Sequence, residues 1–247
     1  MHDHISLQPD YCFWTGFYQD RDCFTWASTK AYLDMNRTMT FRDTPKDNSK
    51  EEINRVEQNR KKWLDKGTDV IRRGFSSPVE DFNCWHQGIC DALIAIYSDD
   101  TLVLRHKNKR TEHSSELTYG QAQKWLNMTL KYLWLLDRLH LIQEESTHQF
   151  ICANEKSFHV PLDSYILRYV ARQDKNKKDR FLPQNQNGLN PDIDFSRFWS
   201  LFGSAWSQIT DKQEYYNYQL ALSQALDGLT PLEWELIHWH RALKYYR

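Results

Sequence analysis

The chain is short of residues that interrupt helices. Of its 247 residues only 8 are Gly and 7 are Pro, below the usual shares of about 7% and about 5%, a balance that favours helices joined by short connections. No stretch approaches the roughly 18 uninterrupted apolar residues of a membrane span, and the mean hydropathy is −0.77. The opening "MHDHISLQPD" lacks a basic segment followed by an apolar one, so no secretion signal is indicated and a cytoplasmic location is expected. The five cysteines (Cys12, Cys23, Cys84, Cys90, Cys152) show no CxxC spacing. A disulfide framework and a zinc or iron–sulfur cluster are thereby disfavoured, and the cysteines read as reduced core thiols. A net charge of −1 argues against indiscriminate binding of polyanions. Walker, GxSxG, HExxH and Rossmann glycine patterns are all missing, which removes the common nucleotide, hydrolase and zinc-protease readings.

What the chain has instead is aromatic mass, 14% of residues with 10 Trp, and helical periodicity. A loose helical pattern covers 22–40. Ser49 to Glu52 reads as a capping box opening a helix that Gly67 would stop. Ser77-Pro78 is expected to open the next, whose stripe of Phe82, Trp85, Ile89, Leu93 and Ile96 follows spacings of three and four. The segment 98–117 is polar, with a possible strand at "TLVL" (101–104). Residues 119–140 form the most apolar helix of the chain, and 141–157 read as a small hairpin or a loop. Further helices are expected from Asp163 to about Arg172, at about 194–208 and 211–227, and from a second capping box at Thr230-Pro231-Leu232-Glu233 to the end. The prediction is an all-α fold with at most one small β-hairpin.

Two features do not fit a plain helical core. On the 119–140 helix, Lys124, Asn127 and Lys131 fall at i, i+3 and i+7, one polar face on a helix whose Leu126, Leu130, Leu133, Trp134 and Leu136 demand burial. Two ammonium groups buried without partners are expensive. The stripe must reach solvent by snorkelling, or face a groove, an acid or a ligand. Gly120, one turn earlier, reads either as a turn glycine or as a helix start whose free N–H groups suit an anion. The second feature is Asp163, which follows Val160-Pro161-Leu162. As a helix cap it would accept backbone N–H bonds, and the same bonds would keep a carboxylate ionised and aimed.

The two stretches together resemble a known family. "VPLDSYILRYV" (160–170) is similar to the segment that carries the catalytic aspartate in the helix-hairpin-helix, endonuclease III-like DNA glycosylase superfamily. "LTYGQAQKWLNMTLKYL" (117–133) resembles the hairpin and following helix of the archaeal 8-oxoguanine glycosylase branch. The likeness covers about 55 residues, Leu117 to Arg172, without the L-P-G-V-G hairpin, with Tyr165 in place of the common histidine, and without a C-terminal cysteine cluster. It implies a single domain, 1–247, in two helical lobes with a cleft between them: a central lobe at about 79–172 and a second lobe from 1–78 with 173–247.

The resemblance implies catalysis by Asp163 with Lys131 as the first candidate amine and Lys124 as the second. It implies DNA contacts at Gly120, Gln121, Gln123 and Asn127, joined by Lys175, Lys177 and Lys178 of the basic run "RQDKNKKDR" (172–180). A second basic run, "RHKNKR", lies at 105–110. An enzyme of this kind must hold a flipped base between aromatic faces, for which Trp85, Trp125, Tyr165 and His159 are the candidates, with Trp234 and Trp239 also available. The implied partner is double-stranded DNA carrying an oxidised or hypermodified base, including a phage-DNA base in a defence role. The product would be an abasic site, with strand cleavage if a lysine forms a Schiff base. A monomer without metal or cofactor is expected. The competing reading is a non-catalytic helical module that binds nucleic acid or protein.

Overall fold

The computed structural model describes residues 22–36, 38–39, 45–76, 78–97, 105–106, 109–110, 117–166, 206–223, 226 and 228–244. These residues are almost all helical. In chain order they form α1 (Cys23–Asn36), α2 (Lys50–Phe75), α3 (Phe82–Ile96), α4 (Tyr119–Arg138), α5 (Glu145–Asn154), α6 (Lys212–Ser223) and α7 (Pro231–Lys244). Single 3-10 turns follow α5 at Glu155–Ser157 and precede α6 at Trp206–Gln208. The sole strand pairing among the described residues is a two-residue antiparallel ladder, β1 (Arg105–His106) on β2 (Lys109–Arg110), inside the first basic run. The "TLVL" segment, the second basic run with Lys175, Lys177 and Lys178, Cys12 and most of 194–208 lie outside the described residues. No helix among the described residues is long and apolar enough to cross a membrane.

α4 is the axis of the fold. Thr118 caps it with a complete capping box: its hydroxyl accepts from Gln121 N at 3.1 Å and its own N–H donates to Gln121 Oε1 at 3.0 Å. The helix closes where His140 enters the left-handed region at φ 55°. There the Leu141 N–H reaches back to the Leu136 carbonyl at 2.9 Å, a Schellman-type ending. From Tyr119 to Leu136 every residue but Tyr132 is buried. α1 makes the broadest contact with it, and α3 packs on another side.

α2 runs straight through the expected stop at Gly67. A Cβ there would overlap the six-membered ring of Trp125, so the missing side chain is the seat of the α4 indole rather than a terminator. Trp125 is 0% exposed and donates to the Ser28 carbonyl at 3.1 Å, which locks α1, α2 and α4 together. Ser49 caps α2 through the Glu52 N–H at 3.3 Å, but the Glu52 carboxylate turns to Arg55 and the Lys46 N–H, so only half of the expected box forms. α3 starts later than expected because Asp81, not Ser77-Pro78, caps it, accepting from Cys84 N at 2.8 Å.

Residues 141–157 are not a hairpin. They hold α5, anchored by Phe150, whose ring stacks on Phe75 at 4.0 Å. Burying such a ring is worth about 1.5–3 kcal/mol, enough to recruit a helix with a polar start. α7 begins as expected, with Thr230 and Glu233 exchanging both capping bonds. Apart from Val56, the buried apolar residues among those described form one contiguous cluster that extends from Phe24 to Leu236.

Candidate functional site

The polar stripe of α4 is covered along its whole length, and each of its side chains meets a different partner. Lys124 Nζ lies 3.5 Å from Asp163 Oδ2, with the two side chains 6% and 15% exposed. Asp163 divides its oxygens: Oδ1 accepts the Ile166 N–H at 2.8 Å, capping residues 164–166, while Oδ2 faces Lys124 and the Trp239 indole N–H at 3.2 Å. Both meanings read from the sequence, helix cap and aimed carboxylate, are thus realised in one side chain. Lys131 lies two turns further along and pairs with Glu235 of α7 at 2.6 Å.

Trp239 ties the two pairs together. Its N–H is on Asp163, the Lys131 ammonium stands 5.6 Å from its ring centre, and Tyr165 meets it edge-on at 6.4 Å. Trp206 lies 5.8 Å from the Lys124 ammonium. The result is an alternating cluster of two amines and two carboxylates roofed by indoles, a setting that raises the strength of each charge interaction. The amine beside Asp163 is therefore Lys124, the second candidate, whereas Lys131 is held by an acid that the sequence did not single out.

Between the two lysines, Asn127 opens a second network, buried except at its Asn83 end. Assigning the ring proton to Nε2 of both His86 and His159 satisfies its members. His86 Nε2–H donates to Asn127 Oδ1 at 3.0 Å, and the Asn127 amide donates to Gln123 Oε1 at 2.9 Å and Tyr215 Oη at 2.8 Å. Tyr215 then donates to His159 Nδ1 at 2.9 Å, and His159 Nε2–H donates to Asn83 Oδ1 at 2.8 Å. Cys90 supplies a thiol to His86 Nδ1 at 3.8 Å. The imidazoles sit 4.4 Å apart, centre to centre. Burial drives the His86 pKa down to about 3, against the bond to Asn127, and it drives His159 well below 6.5, helped by the neighbouring His86. Both rings are neutral at ordinary pH.

Several expected contacts turn out to be internal. Gly120 N donates to the Ile209 carbonyl at 2.8 Å, and a Cβ on Gly120 would overlap the Trp206 carbonyl, so this helix start is closed to an anion. Gln121 is spent on the capping box and on Thr38, and Gln123 donates to the Gly120 carbonyl at 2.8 Å. With Asn127 in the histidine network, none of the four presents its polar group to DNA. Among the expected pocket aromatics, Trp125 is core. Trp85 packs on Phe75, Phe82 and Phe150 with its N–H on the Gly74 carbonyl, and His159 belongs to the internal network. Tyr165, 37% exposed beside Trp239, is the one of the four at the surface near Asp163.

Glu235, His86 and Tyr215 escaped the sequence reading. A signal existed for Glu235, which lies at i, i+4 with the pocket candidate Trp239 on α7. The cysteines also divide, with Cys90 buried and Cys23 partly buried but Cys84 and Cys152 exposed, against the expectation of core thiols. Burial and the charges of Asp137 and Glu155 push the Cys152 thiol up, which disfavours a free thiolate there. Comparison of the chain with protein-family models, with curated proteins and with solved structures returns no match.

Proposed function

We propose that this chain is a DNA glycosylase that cleaves the N-glycosidic bond of an everted modified base, with Asp163 as its carboxylate and Lys124 as the amine beside it. The observation that carries this reading is the 3.5 Å approach of those two groups from segments 39 residues apart, with the Trp239 N–H fixing the same carboxylate oxygen. The resemblance of 117–172 to the helix-hairpin-helix enzymes supports it independently of that distance.

Departure of the base with the bonding electrons leaves positive charge on the deoxyribose, as in glycoside hydrolysis. Asp163 would be the fixed negative charge that stabilises it. Two courses then follow for Lys124. After losing a proton to solvent, its Nζ attacks C1′ as the base leaves; the C1′–O4′ bond then breaks, with the proton passing from nitrogen to O4′, to give a Schiff base that opens the way to strand cleavage. Alternatively it stays charged and positions Asp163, which takes the proton of an attacking water and leaves an abasic site. Double-stranded DNA with an oxidised or hypermodified base is the substrate class, and a two-lobed arrangement that opens around the base belongs to the same proposal. No metal or cofactor enters the chemistry.

A second reading has its own support. The exposures of Lys124 and Asp163, 6% and 15%, and the engagement of both carboxylate oxygens also suit a structural ion pair in a non-catalytic helical module.

One experiment separates the two. The protein is incubated with duplexes carrying oxidised, alkylated and hypermodified bases, and abasic sites and strand breaks are measured beside Asp163→Asn. Asparagine caps helices as well as aspartate does, so the Ile166 N–H keeps its acceptor. Base release by the parent protein and its loss in a folded Asp163→Asn supports the glycosylase. Equal product from both, or binding without release on every duplex, defeats it.

A further inference from the structure

The last turns of α4 and α5 bring three different metal-ligating side chains together at the surface, away from the Asp163 cluster. Asp137 comes from the end of α4. His148 and Cys152 stand at i, i+4 on one face of α5. Their ligand atoms all lie within 4.8 Å of one another. Asp137 Oδ1 is 2.7 Å from His148 Nδ1, and His148 Nε2 is 3.6 Å from Cys152 Sγ.

We infer that Asp137, His148 and Cys152 form a binding site for a thiophilic divalent cation of the zinc class. In a tetrahedral site with Zn–S of about 2.3 Å and Zn–N of about 2.0–2.1 Å, the sulfur and nitrogen vertices stand about 3.5 Å apart. The Cys152 and His148 atoms already have that separation. Asp137 holds the other ring nitrogen, the carboxylate–histidine arrangement that fixes the ring and makes Nε2 the ligand. Solvent fills the remaining positions, since His148 and Cys152 are exposed.

The surroundings favour a cation over a nucleophilic use of the same trio. Asp137 and Cys152 each occupy the last turn of their helix, where the backbone dipole presents its negative end. A thiolate nucleophile is helped by a helix N-terminus or a basic neighbour. This thiol instead has the carboxylates of Asp137, Glu155 and Glu145 around it, with Arg138 as the opposing charge. A divalent ion offsets this negative charge and takes the thiolate, whose proton passes to solvent.

The test is a titration of the reduced full-length protein with Co²⁺, whose thiolate charge-transfer and ligand-field bands report a sulfur-containing tetrahedral site, followed by displacement with Zn²⁺. One equivalent is expected to saturate the bands. Cys152→Ser should abolish the charge-transfer band, while Cys84→Ser, an exposed cysteine on α3, should leave it unchanged. Asp137→Asn should weaken binding by about 10- to 100-fold. All three substituted positions are at or near the surface, and circular dichroism checks that the variants remain folded. Absence of saturable one-to-one binding, or a charge-transfer band that survives Cys152→Ser, overturns the site.

Discussion

Lys131 and Glu235 meet at 2.6 Å with side chains only 8% and 1% exposed, so a long-range ion pair joins α4 to the last helix of the chain. Removing one member of such a pair leaves the other charge inside without its counter-charge. Glu235→Ala is therefore expected to cost about 3–5 kcal/mol of unfolding free energy. The double variant Lys131→Met/Glu235→Leu, which removes both charges and keeps the volume, should recover most of that loss. Urea unfolding of the three proteins checks it. A double variant as unstable as Glu235→Ala would show that the pair is not the source of the effect.

Three surface and interior backbone positions make a second, signed set. Gly67→Ala forces a methyl into the Trp125 ring and should cost about 1–3 kcal/mol as an overpacked site. Gly88, also within a helix, has open space where a Cβ would go, so Gly88→Ala should stabilise by about 1 kcal/mol. His140, at φ 55° in the α4 ending, should gain up to about 1 kcal/mol as glycine. Midpoints of thermal unfolding order these variants, and a Gly67→Ala protein as stable as its parent would contradict the close approach.

That pattern also explains what was legible in the sequence. The 3.6-residue period found α4, and the expense of buried ammonium groups announced that Lys124 and Lys131 needed partners. Nothing local says which acids they find, because Asp163 and Glu235 come from distant segments. Gly67 was misread for a related reason: in isolation glycine weakens a helix, and only the arrival of Trp125 makes it a requirement. α5 has no side-chain cap bond and a polar first turn, so its helicity depends on Phe150 reaching Phe75. Gly120 and its neighbours had the residue types of a phosphate grip, but the 206–209 segment closes over them, which no pattern in 117–133 could foretell.

Thr118 carries more than a helix cap. Besides closing the box with Gln121, its hydroxyl donates to the Ser207 carbonyl at 2.6 Å, tying the start of α4 to the turn before α6. Thr118→Ala should cost about 1–2 kcal/mol, the upper range for a lost N-cap, since a buried carbonyl also loses its donor. Thr118→Ser keeps both bonds and should restore most of the loss. Equilibrium denaturation measures both, and equal effects of Ala and Ser would assign the role to the methyl group instead.

The two buried imidazoles, tilted against each other at 4.4 Å, contribute to the response to acid. His86 and His159 have folded-state pKa values lowered by burial, His86 from 6.5 to about 3, so the unfolded chain binds protons that the folded chain refuses. Their contribution is present above the unfolded pKa near 6.5 and is lost as pH falls toward the folded values. Each such proton gives a slope of about 1.4 kcal/mol per pH unit. Below pH 6.5 the two together should approach twice that slope. His148 has the opposite sign, because its bond to Asp137 raises its pKa. Its contribution is complete below 6.5 and fades only as pH rises, so it does not mask the loss. Glu52, lowered to about 2 chiefly by its bond to Arg55, acts mainly below the ordinary glutamate value of 4.5. Between about 6.5 and 5 the buried pair thus lowers stability as the pH falls. Unfolding free energies measured across it should fall steeply in the parent protein and less steeply in His159→Gln, whose amide can still meet Asn83 or Tyr215 but takes up no proton. An unchanged slope in that variant would mean that the acid response arises elsewhere.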